Sequence, residues 1–328
     1  MMYFCIMKNP PSLLTMLKSA GRFFIYILSR MKKTFHKKFL SVTEQLNLLK
    51  KRGLLIENDE RAKDYLKHIG YFRLSAYFHP LLKMPKKHIY KTGAAFKQGL
   101  DMYRFDRKLR LLLFNEIEKV EVAIRAEIVN AGCALLKDIF WLTNPQYFKD
   151  KNRHAQSLLL IEAELSKSKE DHILHFKNNY NNKYPPAWIL AEILPLGVLG
   201  NLYINIADRR LQKQIAKTFG LQAPVLISWL MVLANIRNIC CHHGRMWNRE
   251  LPNSPSELKK PTYKWIDDNT ANRRRLYYKI CMIKYLLHTI TPNNKLKQKL
   301  IELSQLYPTI DFQAMNFPTD WHLQDFWN

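Results

Sequence analysis

Apolar residues recur at intervals of three and four along most of this chain, and no stretch alternates apolar with polar over the length of a strand, so the pattern predicts helices throughout. Ser41-Val-Thr-Glu44 has the spacing of a capping box and predicts a helix running through Leu46 and Leu49 to a stop at Gly53. A second helix is predicted from Asn58 or Asp59 to Gly70, followed by the aromatic stretch Tyr71–Tyr77 around Arg73 and a basic loop from Lys83 to Lys91 containing Pro85. Ala94–Lys137 reads as one long helix or two joined ones, with Leu109, Leu112, Leu113, Ile117, Val120, Ile124 and Ile128 along its apolar face. Asn152–Lys169 is another amphipathic helix, and Pro185-Pro186 is a break. Trp188–Ala207 is interrupted by Pro195, Gly197 and Gly200, predicting a kink or turn, and Asp208–Phe219 is a short helix ended by Gly220. Pro224 suits the first position of a helix whose Val225–Ala234 run is apolar all round, which predicts a central, buried rod. Leu251–Pro261 is a loop, Arg273–Ile290 and Asn294–Leu306 are the last helices, and an aromatic, irregular tail reaches Asn328.

The expected fold is therefore an all-α helical bundle with an additional N-terminal helical region. The expected divisions are a basic extension over 1–40, helices over 41–92, the main bundle over 93–306 and a tail over 307–328. The first forty residues hold eight Lys or Arg and no Asp or Glu. They read as a disordered or loosely helical basic extension, as a transit or anchoring peptide, or as a segment preceding a true start at Met31.

Charge narrows the choice of partner. The 328 residues carry 52 Lys and Arg against 27 Asp and Glu, a formal net charge of +25, which points to a polyanion, nucleic acid before membrane. No uninterrupted apolar run approaches the roughly 20 residues of a membrane span. Only 10 Gly occur, and neither a glycine-rich dinucleotide fingerprint nor a P-loop is found. The five cysteines (Cys5, Cys133, Cys240, Cys241 and Cys281) are scattered, which argues against a disulfide framework and for a reducing cytoplasm.

The chemistry concentrates in Asn235-Ile-Arg-Asn-Ile-Cys-Cys-His-His-Gly-Arg-Met-Trp-Asn-Arg249, where the apolar rod gives way to Arg237, Asn238, His242, His243, Arg245, Asn248 and Arg249. A guanidinium and an imidazole at the end of a buried helix are costly unless paired or functional. Five residues of regular helix turn Arg237 and His242 roughly 140° apart, so they share no face, whereas Asn238 and His242 do. Convergence on one ligand needs a bent helix or a second chain.

Arg237-x4-His242 with Asn238 after the Arg resembles the signature of the HEPN superfamily. The longer string through Cys241, His242, His243, Arg245, Trp247, Asn248 and Arg249 resembles its Abi-like branch, the abortive-infection phage-resistance proteins. Glu44-Gln45 with Leu49–Gly53, then Ile69–Tyr77, then Ser228-Trp229-Leu230 resemble further landmarks of that family in order, so the likeness runs from about residue 40 to about residue 290. It implies a helical-bundle ribonuclease needing no metal or other cofactor, in which two protomers juxtapose their motifs in a homodimer. His242 is then the proton-transfer group, with His243 as the alternative, Arg237 binds the scissile phosphate, and Asn238 orients His242 or holds the phosphate. RNA is the expected substrate, a protein or RNA antitoxin a further expected partner, and Arg245 and Arg249 contacts for flanking phosphates.

Each signal has a plainer reading. Arg237 and His242 could cap a helix end, and the protein could bind a structured RNA without cutting it. Cys240 to His243 cannot all face one ion, so structural thiols are expected. His172 and His175 stand one turn apart and could bind metal, a solvated or partner-facing pair being favoured. Glu121 and Arg125 could back the site, a surface salt bridge being favoured. The Tyr71–Tyr77 aromatics could stack bases beside Arg73, core packing being favoured. Asn248 and the Arg273, Arg274 and Arg275 run join the candidate RNA contacts, although such charge usually serves solvation.

Overall fold

A computed structural model describes residue 34, residues 36–267 and residues 271–328. The readings made for residues 1–33 lie outside these. In the described part twelve α-helices and one short hairpin appear. Three helices come first: α1 (Val42–Lys51), α2 (Asp59–Ile69) and α3 (Tyr71–Phe78). The Ser41 hydroxyl accepts from the Glu44 amide while the Glu44 carboxylate accepts from the Ser41 amide, the reciprocal cap expected from the sequence. The Lys83–Lys91 stretch is not a simple loop: β1 (Leu82–Met84) and β2 (Ile89–Tyr90) pair antiparallel across it.

α4 (Phe96–Leu136) is one unbroken helix of 41 residues, about 60 Å long. Around it lie α5 (Lys151–Lys167), α6 (Asp171–Asn179), α7 (Ala187–Ile193), α8 (Leu196–Asn205), α9 (Arg209–Thr218), α10 (Ala223–Cys241), α11 (Leu276–Ile290) and α12 (Leu296–Leu306). Helices α3, α7, α8, α9, α10, α11 and α12 all pack on α4. Its Leu109, Leu113, Ile117, Ile124 and Ile128 are fully buried, each contributing about 1.5–3 kcal/mol of apolar transfer. A smaller core, from Leu46 and Leu49 to Tyr90, joins α1–α3 to the first turns of α4 through Phe96 and Leu100.

Two expectations gain detail and one needs correction. The 188–207 stretch breaks once, between α7 and α8 at Pro195, because Gly197 and Gly200 keep helical geometry inside α8. The tail after α12 is irregular but not peripheral, since Phe317, Trp321, Phe326 and Trp327 are buried and pack around Tyr277 of α11. Helix α10 is central but not buried all round. It packs on α4, α8 and α9, yet Met231 is exposed and Ile227, Ser228 and Ala234 are only partly covered. Its length and composition would suffice for a membrane span, and here its apolar side forms core.

The loop leaving α10 is fastened to α4 by a buried carboxylate. Asp106, fully buried on α4, accepts from the Tyr77 hydroxyl (2.6 Å), from the Arg110 guanidinium and from the amides of Met246 (3.0 Å) and Trp247 (2.7 Å). Burial pushes the Asp106 carboxyl up, and those four donors oppose it. Arg110 also donates to the Gly244 carbonyl (3.3 Å). Lower on α4, buried Glu116 pairs with Lys119 (2.7 Å) and with Lys299 of α12 (3.0 Å). Burial works to raise its pKa, but the two ammonium groups prevail and hold it below the ordinary value.

Two outcomes follow. Asp106→Ala leaves Arg110, Tyr77 and two amides without their acceptor, and chemical denaturation should show a loss of about 3–5 kcal/mol; a loss under about 1 kcal/mol would contradict the clamp. Lys279 of α11 is 1% exposed and donates to the Arg273 carbonyl at 2.9 Å. Burial, with Arg274 nearby, pulls its ammonium from 10.5 down to about 8. Between those values the unfolded chain holds a proton that the folded chain has shed, so this group makes stability rise with pH across that window. The stability of Lys279→Met relative to the parent should therefore be most favourable near pH 7 and decline toward pH 10, and a difference flat across that range would refute it.

Candidate active site

Helix α10 stops at Cys241 through its backbone. The His243 amide donates to the Cys240 carbonyl (3.2 Å) and the Gly244 amide to the Ile239 carbonyl (2.8 Å), the paired bonds of a Schellman stop. The left-handed position, usually glycine, is His243 with φ of +56°. A non-glycine residue held there stores backbone strain that the surroundings must offset. The Arg73 guanidinium of α3 donates to the His243 carbonyl at 2.7 Å, and the Asp106 clamp follows three residues on, at Met246. His242 is the residue at the cap. The His242 amide still closes a helical bond to the Asn238 carbonyl (2.9 Å), so the regular-helix rotation continues to part it from Arg237, and only His243 leaves helical geometry.

Arg237 lies four residues inside that end and is 34% exposed on its side chain. Its Nε stands 3.6 Å from the Glu121 carboxylate, and one of its terminal nitrogens reaches the Asn238 side-chain oxygen at 3.5 Å. Glu121, 9% exposed, also pairs with Arg125 at 3.2 Å. Arg125 in turn donates to the carbonyls of Glu192 and Leu194, 3.2 Å each, at the α7–α8 break. The Glu121–Arg125 pair is thus not the surface salt bridge favoured from the sequence. It is a buried brace that ties α4 to the α7–α8 break and backs Arg237. Its mark is the shared carboxylate, which the order of residues does not show: two guanidinium groups, one of them in the motif, compete for one buried acid.

The motif residues face two openings. Arg237 and Asn238 line a cavity of about 270 Å³ with Leu160 of α5, the 195–198 turn, Asn201 and Ala234. His243 lines another of about 510 Å³ with Cys240, Cys241, Arg73, Arg107 and Arg110. His242 is exposed and belongs to the lining of neither. Among the described residues no hydrogen bond reaches either imidazole. Asn238 meets Arg237 through its side chain and His242 only through its carbonyl, which accepts the His242 amide at 2.9 Å. One chain thus offers a braced guanidinium and a free imidazole without bringing them into a single cavity.

The remaining candidates divide. Arg245 donates to the Ala76 carbonyl (3.2 Å), Arg249 to the Arg245 carbonyl (3.1 Å), and Arg275 to the Ala314 carbonyl and the Asn248 side chain, so these hold the loop and tail together. Arg273 and Arg274 stay exposed, the latter 3.7 Å from Glu250. Cys240 is buried, which pushes its thiol up to about 12 and leaves it unreactive. The aromatic stretch is split rather than wholly core. Leu74, Tyr77 and Phe78 are buried, whereas Arg73 is exposed and Phe72 is 91% exposed. Asp106, Arg107 and Arg110 were not singled out from the sequence, although charges set among the core positions Phe105, Leu109 and Leu113 mark a side where apolar residues alone were expected.

No curated protein and no solved structure matches the chain. A family model, described as Abi-like protein, matches residues 64–248, from α2 to the Trp247-Asn248 pair that ends the clamped loop. That segment contains the Tyr71–Tyr77 stretch, Ser228-Trp229-Leu230 and the whole Arg237-to-Asn248 string, while the Glu44–Gly53 landmark lies outside it. The chain belongs to the Abi-like family.

Proposed function

We propose that the protein is an endoribonuclease of HEPN type acting in abortive-infection phage defence, and that its active site forms between two copies of the chain in the cytoplasm. The observation that carries this reading is the separation just described: an open, unbonded imidazole at His242 and a guanidinium at Arg237 fixed from behind by Glu121. Each is poised for a ligand, and a second copy supplies what one copy does not assemble.

The chemistry requires no metal. Neutral His242 accepts the proton of an RNA 2′-hydroxyl as that oxygen bonds to phosphorus. Arg237 from the other copy neutralises the charge gathering on the pentacoordinate phosphate through its planar fork. The bond from phosphorus to the 5′-oxygen breaks, and an imidazolium returns a proton to that oxygen. The products are a 2′,3′-cyclic phosphate and a 5′-hydroxyl, and DNA lacks the nucleophile. His243, held by its strained backbone in the other cavity, is the second choice for the proton transfers. The net charge of +25 supports a polyanionic substrate. An antitoxin, of protein or RNA, would keep such an enzyme silent before infection.

Purified protein incubated with RNA in EDTA should cut it, with His242→Ala slower by about 10²–10⁴-fold and Arg237→Ala by about 10²–10³-fold. In cells, overexpressed parent should arrest growth and His242→Ala should not. RNA binding without cleavage, together with growth arrest indifferent to both substitutions, would favour a non-catalytic RNA-binding protein. Glu121→Gln should slow cleavage about tenfold or more by loosening Arg237, and adding it to Arg237→Ala should cost nothing further. Additive losses would mean that Glu121 acts elsewhere.

A further inference from the structure

The larger of the two openings is built unlike the rest of the surface. Its lining comes from the end of α2 (His68, Ile69), from Arg73 of α3, from one side of α4 (Arg107, Arg110, Leu111, Phe114) and from His243 beyond α10. Arg107, Leu111 and Phe114 follow at intervals of four and three, so they form a single stripe. No carboxylate lines the opening, and the nearest one behind it, Asp106, is spent on Arg110, Tyr77 and two amides. Arg73 is turned to the His243 carbonyl and Arg110 to Asp106 and the Gly244 carbonyl. Arg107 alone of the three guanidinium groups makes no hydrogen bond or ion pair among the described residues. Beside this charge lies apolar surface that folding leaves wet: Leu111 is 56% exposed, Phe114 is 39% exposed, and Phe72, next to Arg73 in the chain, stands clear of the protein.

We infer that this opening holds one unpaired nucleotide of single-stranded RNA flanking the cleaved bond, with Arg107 on its phosphate and its base against Leu111 and Phe114. The inference rests on the reading of RNA as the substrate. A cationic rim with no counter-charge matches a phosphate, and an exposed aromatic beside it matches the face of a base, whichever base it is. A duplex keeps its bases stacked and offers no such face. The site shares its wall with the motif, because the His243 carbonyl fixed by Arg73 sets where the residue after His242 leaves the helix. RNA seated here would therefore lie against the turn that presents the imidazole.

The test measures binding apart from cleavage. A fluorescent single-stranded RNA hexamer carrying 2′-O-methyl groups, which lacks the nucleophilic hydroxyl, is titrated with the full chain and followed by anisotropy over a range of salt. Arg107→Gln should weaken binding about tenfold and make the dependence of log affinity on log salt shallower by about one, Arg107→Lys should recover part of the loss, and Lys87→Gln, in the hairpin and outside this lining, should change little. Phe114→Ser should weaken the single strand while leaving any affinity for a duplex of the same length untouched. Equal binding by Arg107→Gln and the parent overturns the inference, as does equal loss for single strand and duplex. A change in oligomeric state on Phe114→Ser, seen by sedimentation without loss of RNA affinity, overturns it in favour of a second copy covering the patch. The two readings fail separately. A parent that binds through Arg107 but never cuts RNA keeps this site and loses the catalytic proposal, and a parent that cuts RNA while Arg107→Gln binds normally does the reverse.

Discussion

A single buried carboxylate governs where the chemistry of this protein can stand. Asp106 gathers the Tyr77 hydroxyl, the Arg110 guanidinium and two consecutive loop amides, so that α3, α4 and the chain leaving α10 meet at one point. An ionised acid without these donors would be expensive in the core, and donors without the acid would be left buried and unpaired. The cluster is therefore all or nothing. Because it grips Met246 and Trp247, it also fixes the turn that precedes them, in which His243 adopts a left-handed backbone and His242 is carried off the end of the helix.

The second constraint is the brace at Glu121. Arg237 emerges from a helix whose other side is core, and its guanidinium is steadied by an acid that also grips Arg125 at the α7–α8 break. A phosphate arriving there would compete with Glu121 for the same nitrogens. The exposed side of Arg237 is left for a ligand, while the imidazoles open elsewhere. The division of the motif between two surfaces is what makes a site shared by two copies the economical reading.

Most of the helical architecture was legible because it depends on local rules: a capping box at Ser41, Pro195 as a breaker, Pro224 at a helix start, and apolar spacing along α4. What escaped was tertiary. Nothing in the order of residues says that Asp106 would meet amides some 140 positions later, or that Glu121 would serve two arginines. The aromatic run at Tyr71 departs from core packing only at Phe72, for a related reason, since helical geometry sends Tyr77 and Phe78 inward while leaving Phe72 outside. The motif was visible as chemistry, and the regular-helix rotation that parts Arg237 from His242 holds as far as the cap, where the His242 amide still meets the Asn238 carbonyl. The left-handed turn at His243, a position usually given to glycine, was not legible.

Whether two chains build one site is decided by mixing two dead variants. Arg237→Ala and His242→Ala proteins, allowed to exchange subunits, should regain RNA cleavage, because a mixed pair contains one site with both an intact arginine and an intact histidine; random exchange gives about a quarter of the parent's activity. A mixture as inactive as either variant alone, with exchange verified, would contradict the shared site on which this account stands.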